Sequence, residues 1–468
     1  MADKDIALMA HLMRRAAFGA PYEELLSRAT KGYEATVEEL LHPETQPDID
    51  WDIATRGYPE WVGYGVVETG QAIWAYRMIN TRRPLQEKIA LFWHGILCTG
   101  VAKCEHTGQV GIQLEMFRQK GMGSFRDLLV GLAQDPAMVF YLDNCMSHKD
   151  AINENWGREL LELFSMGVGM DGRPNYTEED VQEASRAFTG WTITNGIPSN
   201  PYGRYESHFV YNPFDHDNGT KTFLGETGNF NGEDIVDIIC KQPATARFIS
   251  RHLYNFFVAD EPLVPAWQHT PPRDPEAIRV LEDEYFRSNY DIGSMLRVLL
   301  NSDFFKEARF AKVKSPTEVV IGTLRLAGEH KTPKPGLWDI TDAIRYMGQD
   351  LFDPPTVEGW HTGREWIDSG TLVERINFVA EYLGNEKFPG IRDMIHQVGS
   401  TSTTVTAEEV IDGCLEMLGA YRLHRETREQ LIDHLNQVGD LRPGAPEFNK
   451  AVGQTLQMIA ATMEYQFA

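Results

Sequence analysis

Apolar residues recur with a helical period along most of the chain. They return every three or four positions, which places them on one face of an α-helix. Strict alternation of apolar and polar residues, the pattern of a half-buried strand, is rare. Helices are predicted over residues 6–17, 22–30, 83–93, 124–133, 153–164, 177–190, 243–258, 274–286, 292–301, 315–328, 339–347 and 406–419. The sequence therefore predicts an all-α, multi-helix protein.

One long segment, between residues 192 and 230, lacks this periodicity. It is rich in aromatic residues, glycine and asparagine, which suit turns and loops. We predict a long irregular insertion or a small β-hairpin there, acting as a lid. The remaining chain is interpreted as a main helical domain over 1–390, which includes the insertion, and a C-terminal helical tail over 391–468 that packs on it.

The helix predicted over 153–164 combines charged side chains with an apolar surface. Glu154, Arg158 and Glu162 share one stripe because they are four residues apart. Leucine and phenylalanine occupy most of the remaining circumference, so the helix should be largely buried. Charges on a buried helix must be paired or face a cleft. These charges are therefore either i,i+4 ion pairs or part of a functional site.

A second acidic helix follows. Thr177 and Asp180 form a variant of the capping box at its start. Asp180 and Glu183 are i,i+3 neighbours, as are Glu159 and Glu162 on the first helix. The glycine-containing connection permits the helices to pack antiparallel, with the two carboxylate pairs facing each other.

Other candidate side chains lie in the insertion and in a proline-rich loop. His216, beside Asp217, offers an imidazole within loop reach of the acidic helices, although an Asp-Asn-Gly turn alone also accounts for this segment. Trp360 follows two prolines and either lines a site or fills the core. The predicted catalytic residues are Glu154, Arg158, Glu159, Glu162, Asp180, Glu183, His216 and Asp217. The predicted substrate-binding residues are Arg186, Trp191, Lys221 and Trp360.

Composition narrows the possible functions. The chain has 44 Lys and Arg against 68 Asp and Glu, a formal net charge of −24, which disfavours nucleic acids and anionic membranes as partners. Its five cysteines form no Cys-x-x-Cys pair, so reduced thiols are predicted. No apolar run of signal-peptide or transmembrane length follows the amino terminus. We therefore expect no membrane insertion and a cytoplasmic protein, or an exported one if a leader has been removed.

A series of short motifs runs from the amino terminus to about residue 375. They are HLMRRAAFG at 11–19, LFWH at 91–94, DPAM at 135–138, YLDN at 141–144, NENWGRELLELF at 153–164, YTEEDV at 176–181, FTGW at 188–191, HD at 216–217, KTFLG at 221–225, DPP at 353–355 and GW at 359–360. Together they resemble a large bacterial family known as domain of unknown function 1800, with a weaker match in the tail. The resemblance implies a fold without an established activity. It also suggests a sulfatase- or phosphatase-like partner protein and an extracellular or envelope role.

Three functions are compatible with these residues. The first is a hydrolase with a carboxylate-rich cleft, whose paired carboxyls act as acid and base on a carbohydrate or another polar polymer. The second is an enzyme that uses Mg²⁺, Mn²⁺ or Ca²⁺. Its predicted metal ligands are Glu159, Glu162, Asp180, Glu183, His94 and His216. The third is a non-enzymatic scaffold or partner-binding protein whose buried charges form structural networks.

The sequence lacks the motifs of several common enzyme classes. A Gly-x-Ser-x-Gly elbow and a phosphate-binding loop are missing, and no Gly-x-Gly-x-x-Gly motif stands between a predicted strand and a predicted helix, as a dinucleotide fingerprint would. Their absence argues against serine esterases, nucleoside triphosphatases and Rossmann dehydrogenases.

Overall fold

Helices dominate the computed structural model, which describes residues 3–61, 65–194, 206–400, 404–438 and 441–468. The α-helices in these residues are α1 Asp3–Arg15, α2 Tyr22–Lys31, α3 Tyr33–Leu41, α4 Trp51–Gly57, α5 Val67–Asn80, α6 Pro84–His94, α7 Val101–Cys104, α8 Thr107–Lys120, α9 Phe125–Ala133, α10 Pro136–Tyr141, α11 Asn155–Glu162, α12 Glu178–Ala187, α13 Gly232–Cys240, α14 Pro243–Phe257, α15 Pro275–Arg287, α16 Ile292–Asn301, α17 Asp303–Glu307, α18 Pro316–Ala327, α19 Leu337–Tyr346, α20 Ser369–Leu383, α21 Pro389–Val398, α22 Ala407–Met417, α23 Arg425–Asn436 and α24 Pro446–Ala460. The prediction of an all-α fold is confirmed.

Six short strands accompany the helices. They are β1 Gly169–Met170, β2 Arg173–Pro174, β3 Trp191–Ile193, β4 Phe209–Tyr211, β5 Lys221–Phe223 and β6 Glu226–Gly228. They pair in order as three antiparallel hairpins. Two of these hairpins, β3–β4 and β5–β6, belong to the segment predicted to form an irregular insertion or a β-hairpin. Part of that segment, residues 195–205, lies outside the described residues.

Helix ends agree with the sequence where capping residues mark them. Ser315 and Glu318 form a capping box at the start of α18, and Thr177 with Asp180 forms the predicted one at the start of α12. The amphipathic pattern did not predict α5. Every residue of that helix from Thr69 to Ile79 is buried, so it has no polar face to create a period.

The helices share one hydrophobic core that runs from α1 to the end of the chain. Helix α24, in the predicted tail, packs against α20. The last residue also hydrogen-bonds to the segment before α18. Its amide, on Ala468, donates to the Lys312 carbonyl at 2.8 Å. Whether the tail is a separate unit stays a prediction. In the described part of the chain, no helix has the length and apolar character needed to cross a membrane.

Helices α11 and α12 pack together, as the sequence predicts, and Gly157 lies directly against α12. A Cβ atom on Gly157 would lie 2.1 Å from Ser185 Oγ and 3.0 Å from the Val181 carbonyl oxygen. Because the second contact is with backbone, a change of side-chain rotamer cannot relieve it. Gly157 therefore sets how closely α11 and its carboxylates lie to α12.

Gly157→Ala is expected to lower the free energy of unfolding by about 1–3 kcal/mol, because the added methyl group overpacks this contact. Guanidinium-induced unfolding measures the change. Gly131→Ala in α9 is the matched control, since its added methyl group would meet the flexible ends of Lys120 and Met116. An equal loss in both variants would contradict the assignment of a close contact to Gly157.

Candidate functional site

The sequence-predicted residues of α11 and α12 do not form one cluster. The Arg158 guanidinium donates to the Glu178 carboxylate at 2.7 and 3.1 Å and to Glu154 at 3.5 Å. This ion-pair group lies on the surface. The hydrogen bonds from Arg158 hold the pKa of Glu178 below its usual range and raise the pKa of Arg158 itself. Glu154 and Arg158 therefore form an i,i+4 ion pair, which was one of the two alternatives for this helix in the sequence analysis.

Two carboxylates of α12, Asp180 and Glu183, bind the insertion instead of facing the carboxylates of α11. Asp180 accepts hydrogen bonds from the Thr177 and Leu224 amides at 2.8 and 2.7 Å. Glu183 accepts one from the Thr222 amide at 2.9 Å. The Leu224 and Thr222 amides belong to the β5–β6 hairpin, so these two carboxylates fix that hairpin on α12.

Arg186 extends this arrangement to the loop before β5. Its Nη1 donates to Glu183 at 2.8 Å, and its Nε donates to Asp217 at 2.7 Å. The hydrogen bond from Arg186 keeps the pKa of Asp217 below its usual value. Lys221 is fully buried, and its Nζ donates to the Asp217 and Gly219 carbonyls. We refer to Asp180, Glu183, Arg186, Asp217 and Lys221 as the α12 network.

His216 and Trp191 lie at the base of the same insertion. His216 is buried, and its Nδ1 is 2.8 Å from the Thr189 carbonyl oxygen. Trp191 is also buried and donates from Nε1 to Asn231 Oδ1 at 2.8 Å. Both side chains are therefore buried and hydrogen-bonded at the base of the insertion.

His94 and Trp360 pack together in the core. Their ring centroids are 5.3 Å apart. The His94 Nε2 accepts a hydrogen bond from the Phe352 amide at 3.1 Å, so this nitrogen is already occupied. Burial lowers the pKa of His94 to about 3, and the ring is neutral.

Of the two remaining predicted residues, Glu162 lines a cavity of about 210 Å³, and Glu159 is close enough to Glu162 and Glu358 to be affected by their charges. This cavity, called the α14 cavity below, lies between the end of α11, the 166–170 segment, α14 and the 264–268 turn. Glu162 and Glu358 both line it. The Tyr176 hydroxyl is 3.5 Å from Glu162 Oε2.

The carboxyl group of Glu159 has a pKa above its usual range. Partial burial, together with the negative charges of Glu162 and Glu358, raises its pKa to about 7 against the opposing charge of Arg158. A carboxyl with this pKa is about half protonated at neutral pH. It is therefore suited to donate or accept a proton under physiological conditions.

The α14 cavity has an aromatic and cationic wall on the side of α14. The His252 ring lies 4.4 Å from the Phe248 ring and 4.7 Å from the Trp267 ring, centroid to centroid. The Arg251 guanidinium lies 4.4 Å from the centre of the Trp267 ring and donates to Glu261 Oε2 at 2.6 and 2.9 Å. Glu261 thus compensates the buried charge of Arg251.

Backbone geometry brings Glu358 to this cavity. The following residue, Gly359, has a φ of +85°, and a Cβ atom there would lie 2.1 Å from the Gly95 carbonyl oxygen. Only glycine fits this position, which holds the 358–360 loop against the end of α6. Gly95 itself lines the cavity.

Sequence reasoning missed Glu358, Arg251, His252 and Trp267 as site residues. A signal for two of them was present, because α14 carries Arg251 and His252 among mostly apolar residues, as 153–164 carries its charges. No sequence pattern links Glu358 to Glu162, since only tertiary packing brings them together.

The six residues predicted to bind a divalent metal do not come together in one group. Within the described ranges, no three His, Cys, Asp or Glu side chains form a group that would hold a metal ion. Of the six predicted ligands, Asp180, Glu183, His94 and His216 are held by the separate contacts given above.

Comparison with known proteins identifies the family. The model of a family described as "protein of unknown function (DUF1800)" matches residues 11–467. The chain belongs to the DUF1800 family. The match confirms the resemblance noted from the sequence motifs and extends it through the tail of this DUF1800 chain. No curated protein and no solved structure matches it.

The raised pKa of Glu159 predicts a gain in stability when its charge is removed. Its folded-state pKa of about 7 exceeds the ordinary value of 4.5, so ionisation costs stability progressively as the pH rises from 4.5 to 7. Allowing for solvent exposure, Glu159→Gln should be about 1 kcal/mol more stable than the wild type at pH 8 and equal to it at pH 4. Guanidinium unfolding at both pH values measures this. A Glu159→Gln variant that is less stable at pH 8 would contradict it.

Proposed function

We propose that this DUF1800 protein is a hydrolase whose active centre lies at the mouth of the α14 cavity and whose substrate is a carbohydrate or another polar polymer. The observation that carries the proposal is that Glu162, Glu358 and His252 line an open cavity, with Glu159 close enough to both carboxylates to be affected by their charges. Neighbouring carboxyls that differ in protonation can divide the roles of acid and base.

In this proposal, Glu159 is the general acid. Its protonated form donates a proton to the leaving-group oxygen as the bond breaks. Glu162 or Glu358 acts as the second carboxyl, which either activates a water molecule or attacks the substrate directly. Tyr176, near Glu162, is a positioning residue for that carboxyl.

The α12 network has a different role in the proposal. Its carboxylates are occupied by Arg186 or by backbone amides of the insertion, so we propose that it holds the insertion on α12. This observation also favours a second candidate function, a non-enzymatic scaffold. In that case the charges at the α14 cavity would also be structural, and Glu159→Gln would have no effect on any activity.

A hydrolysis screen separates the two candidates. The purified protein is incubated with a panel of oligosaccharides and their aryl- and alkyl-substituted derivatives, and release of reducing ends and free alcohols is measured. The hydrolase proposal expects product formation by the wild type and its loss in Glu159→Gln. Absence of product with every compound, or equal product from the variant, would favour the scaffold.

A further inference from the structure

The wall of the α14 cavity is chemically unlike a subsite built only for a sugar. Most of its side chains are apolar, among them Ile96, Leu163, Met166, Phe248, Val264 and Trp267. Its volume of about 210 Å³ exceeds the roughly 150 Å³ of an engineered apolar cavity that binds benzene. A benzene ring with one or two small substituents therefore fits, and apolar walls favour such a group over one covered with hydroxyls.

One buried polar group in this wall has no partner. His252 is 8% exposed and lines the cavity, and its Nε2 makes no hydrogen bond with any residue that the structure describes. Burial, and secondarily the charge of Arg251, lowers the pKa of His252 to about 3, so the ring is neutral. A buried polar atom without a partner is costly, and a ligand atom that bonds to the imidazole would relieve that cost.

The charges around the cavity offer no partner to an anionic ligand. Glu162 and Glu358 line it, and they disfavour a carboxylate-bearing group. The two guanidiniums in the wall already have carboxylate partners, since Arg251 binds Glu261 and Arg247 binds Glu282 at 2.9 Å. Neither of them requires an anionic ligand.

We propose that the α14 cavity binds an uncharged, phenol-like group of the substrate, with its ring among the apolar side chains and its oxygen hydrogen-bonded to His252. The substrate would then be an aryl-substituted compound whose remaining part extends past Glu162 and Glu358 to solvent. The position of the reacting bond at the mouth rests on the proposed hydrolase function. Binding of the aromatic group does not.

Binding is tested with small probes on the full-length protein. Methionine methyl groups are labelled with ¹³C, and the signals of Met166 and Met170, which line the cavity, are assigned by Met→Leu variants. The probes are 4-methylphenol, toluene, 4-methylbenzoate and methyl glucoside. Saturable shifts of these two signals are expected with 4-methylphenol, with about fivefold weaker binding of toluene, which lacks the hydrogen-bonding oxygen.

One variant tests the role of His252, and a second tests whether the probes bind in the α14 cavity. His252→Phe keeps a ring between Phe248 and Trp267, so it should fold, and it should bind 4-methylphenol and toluene equally. Val168→Trp narrows the cavity and should abolish both shifts, with thermal unfolding as the check on folding. Binding of methyl glucoside without 4-methylphenol, or an undiminished preference for 4-methylphenol in His252→Phe, would overturn the proposal.

The readout separates this proposal from the proposed function. Aromatic binding without any Glu159-dependent hydrolysis would support the ligand class and refute the hydrolase. Glu159-dependent hydrolysis of a substrate with no aromatic group, together with no shift from 4-methylphenol, would refute the ligand class and leave the hydrolase.

Discussion

Glu159→Gln is expected to lower kcat for hydrolysis by about 10²–10⁴-fold, the usual contribution of a general acid. Glutamine keeps the shape of the side chain but has no proton to donate at a pKa near 7. Steady-state kinetics on a substrate found in the screen measures the loss. Protein stability should not fall, because the substitution removes a carboxylate that is repelled by Glu162 and Glu358.

The kinetic pattern of this variant distinguishes acid catalysis from a general structural effect. The loss should be large for an alkyl alcohol leaving group and small for a nitrophenol, which departs without protonation. Glu179→Gln is the matched control, because Glu179 is an exposed carboxylate on the neighbouring helix α12. An equal loss for both leaving groups would show that Glu159 is not the acid.

Glu318→Gln should produce the largest stability effect, a loss of about 3–5 kcal/mol in the free energy of unfolding at pH 7. Glu318 forms a buried ion pair with the fully buried Lys88. Its other oxygen accepts a hydrogen bond from the Ser315 amide at 2.7 Å. Removing the charge leaves Lys88 uncompensated, with the cations Arg15 and Lys312 nearby.

The stability difference between wild type and Glu318→Gln should decrease as the pH falls. Although burial opposes it, the charges of Lys88, Arg15 and Lys312 lower the pKa of Glu318 to about 2. The stabilisation is therefore complete above about pH 4.5 and is lost as the pH falls through 2, so the difference between wild type and variant should be roughly halved at pH 3.

The control for Glu318 is a carboxylate with the same local role and no buried partner. Glu409 closes a capping box with Thr406 at the start of α22, as Glu318 does with Ser315, but it is exposed. Glu409→Gln should cost much less than Glu318→Gln. Similar losses would show that helix capping, and not the buried ion pair, accounts for the stability.

Helices could be predicted from the sequence where one face is polar and the opposite face is apolar. Helix α16 begins and ends at the predicted residues 292 and 301, and α14 differs from its prediction by one residue. Helix α5 was not predicted because it is buried on nearly all sides. For the insertion, an irregular segment or a small β-hairpin was predicted from its turn residues, and two hairpins are present.

The site could be predicted only in part, because the sequence shows which residues are charged but not which partners they meet. Glu162 lines the α14 cavity and Glu159 is near it, whereas Asp180 and Glu183 bind backbone amides of β5–β6. Glu358 and His252 reach the cavity from distant parts of the chain. Their contribution depends on tertiary packing, which no local pattern records.

The pH dependence of kcat/KM for wild type and Glu159→Gln tests the central claim most directly. The wild type should lose activity as the pH rises through about 7, because the acid form of Glu159 disappears, and this alkaline limb should be absent from the residual activity of the variant. Full activity in Glu159→Gln with the same alkaline limb would contradict a hydrolytic centre at the α14 cavity.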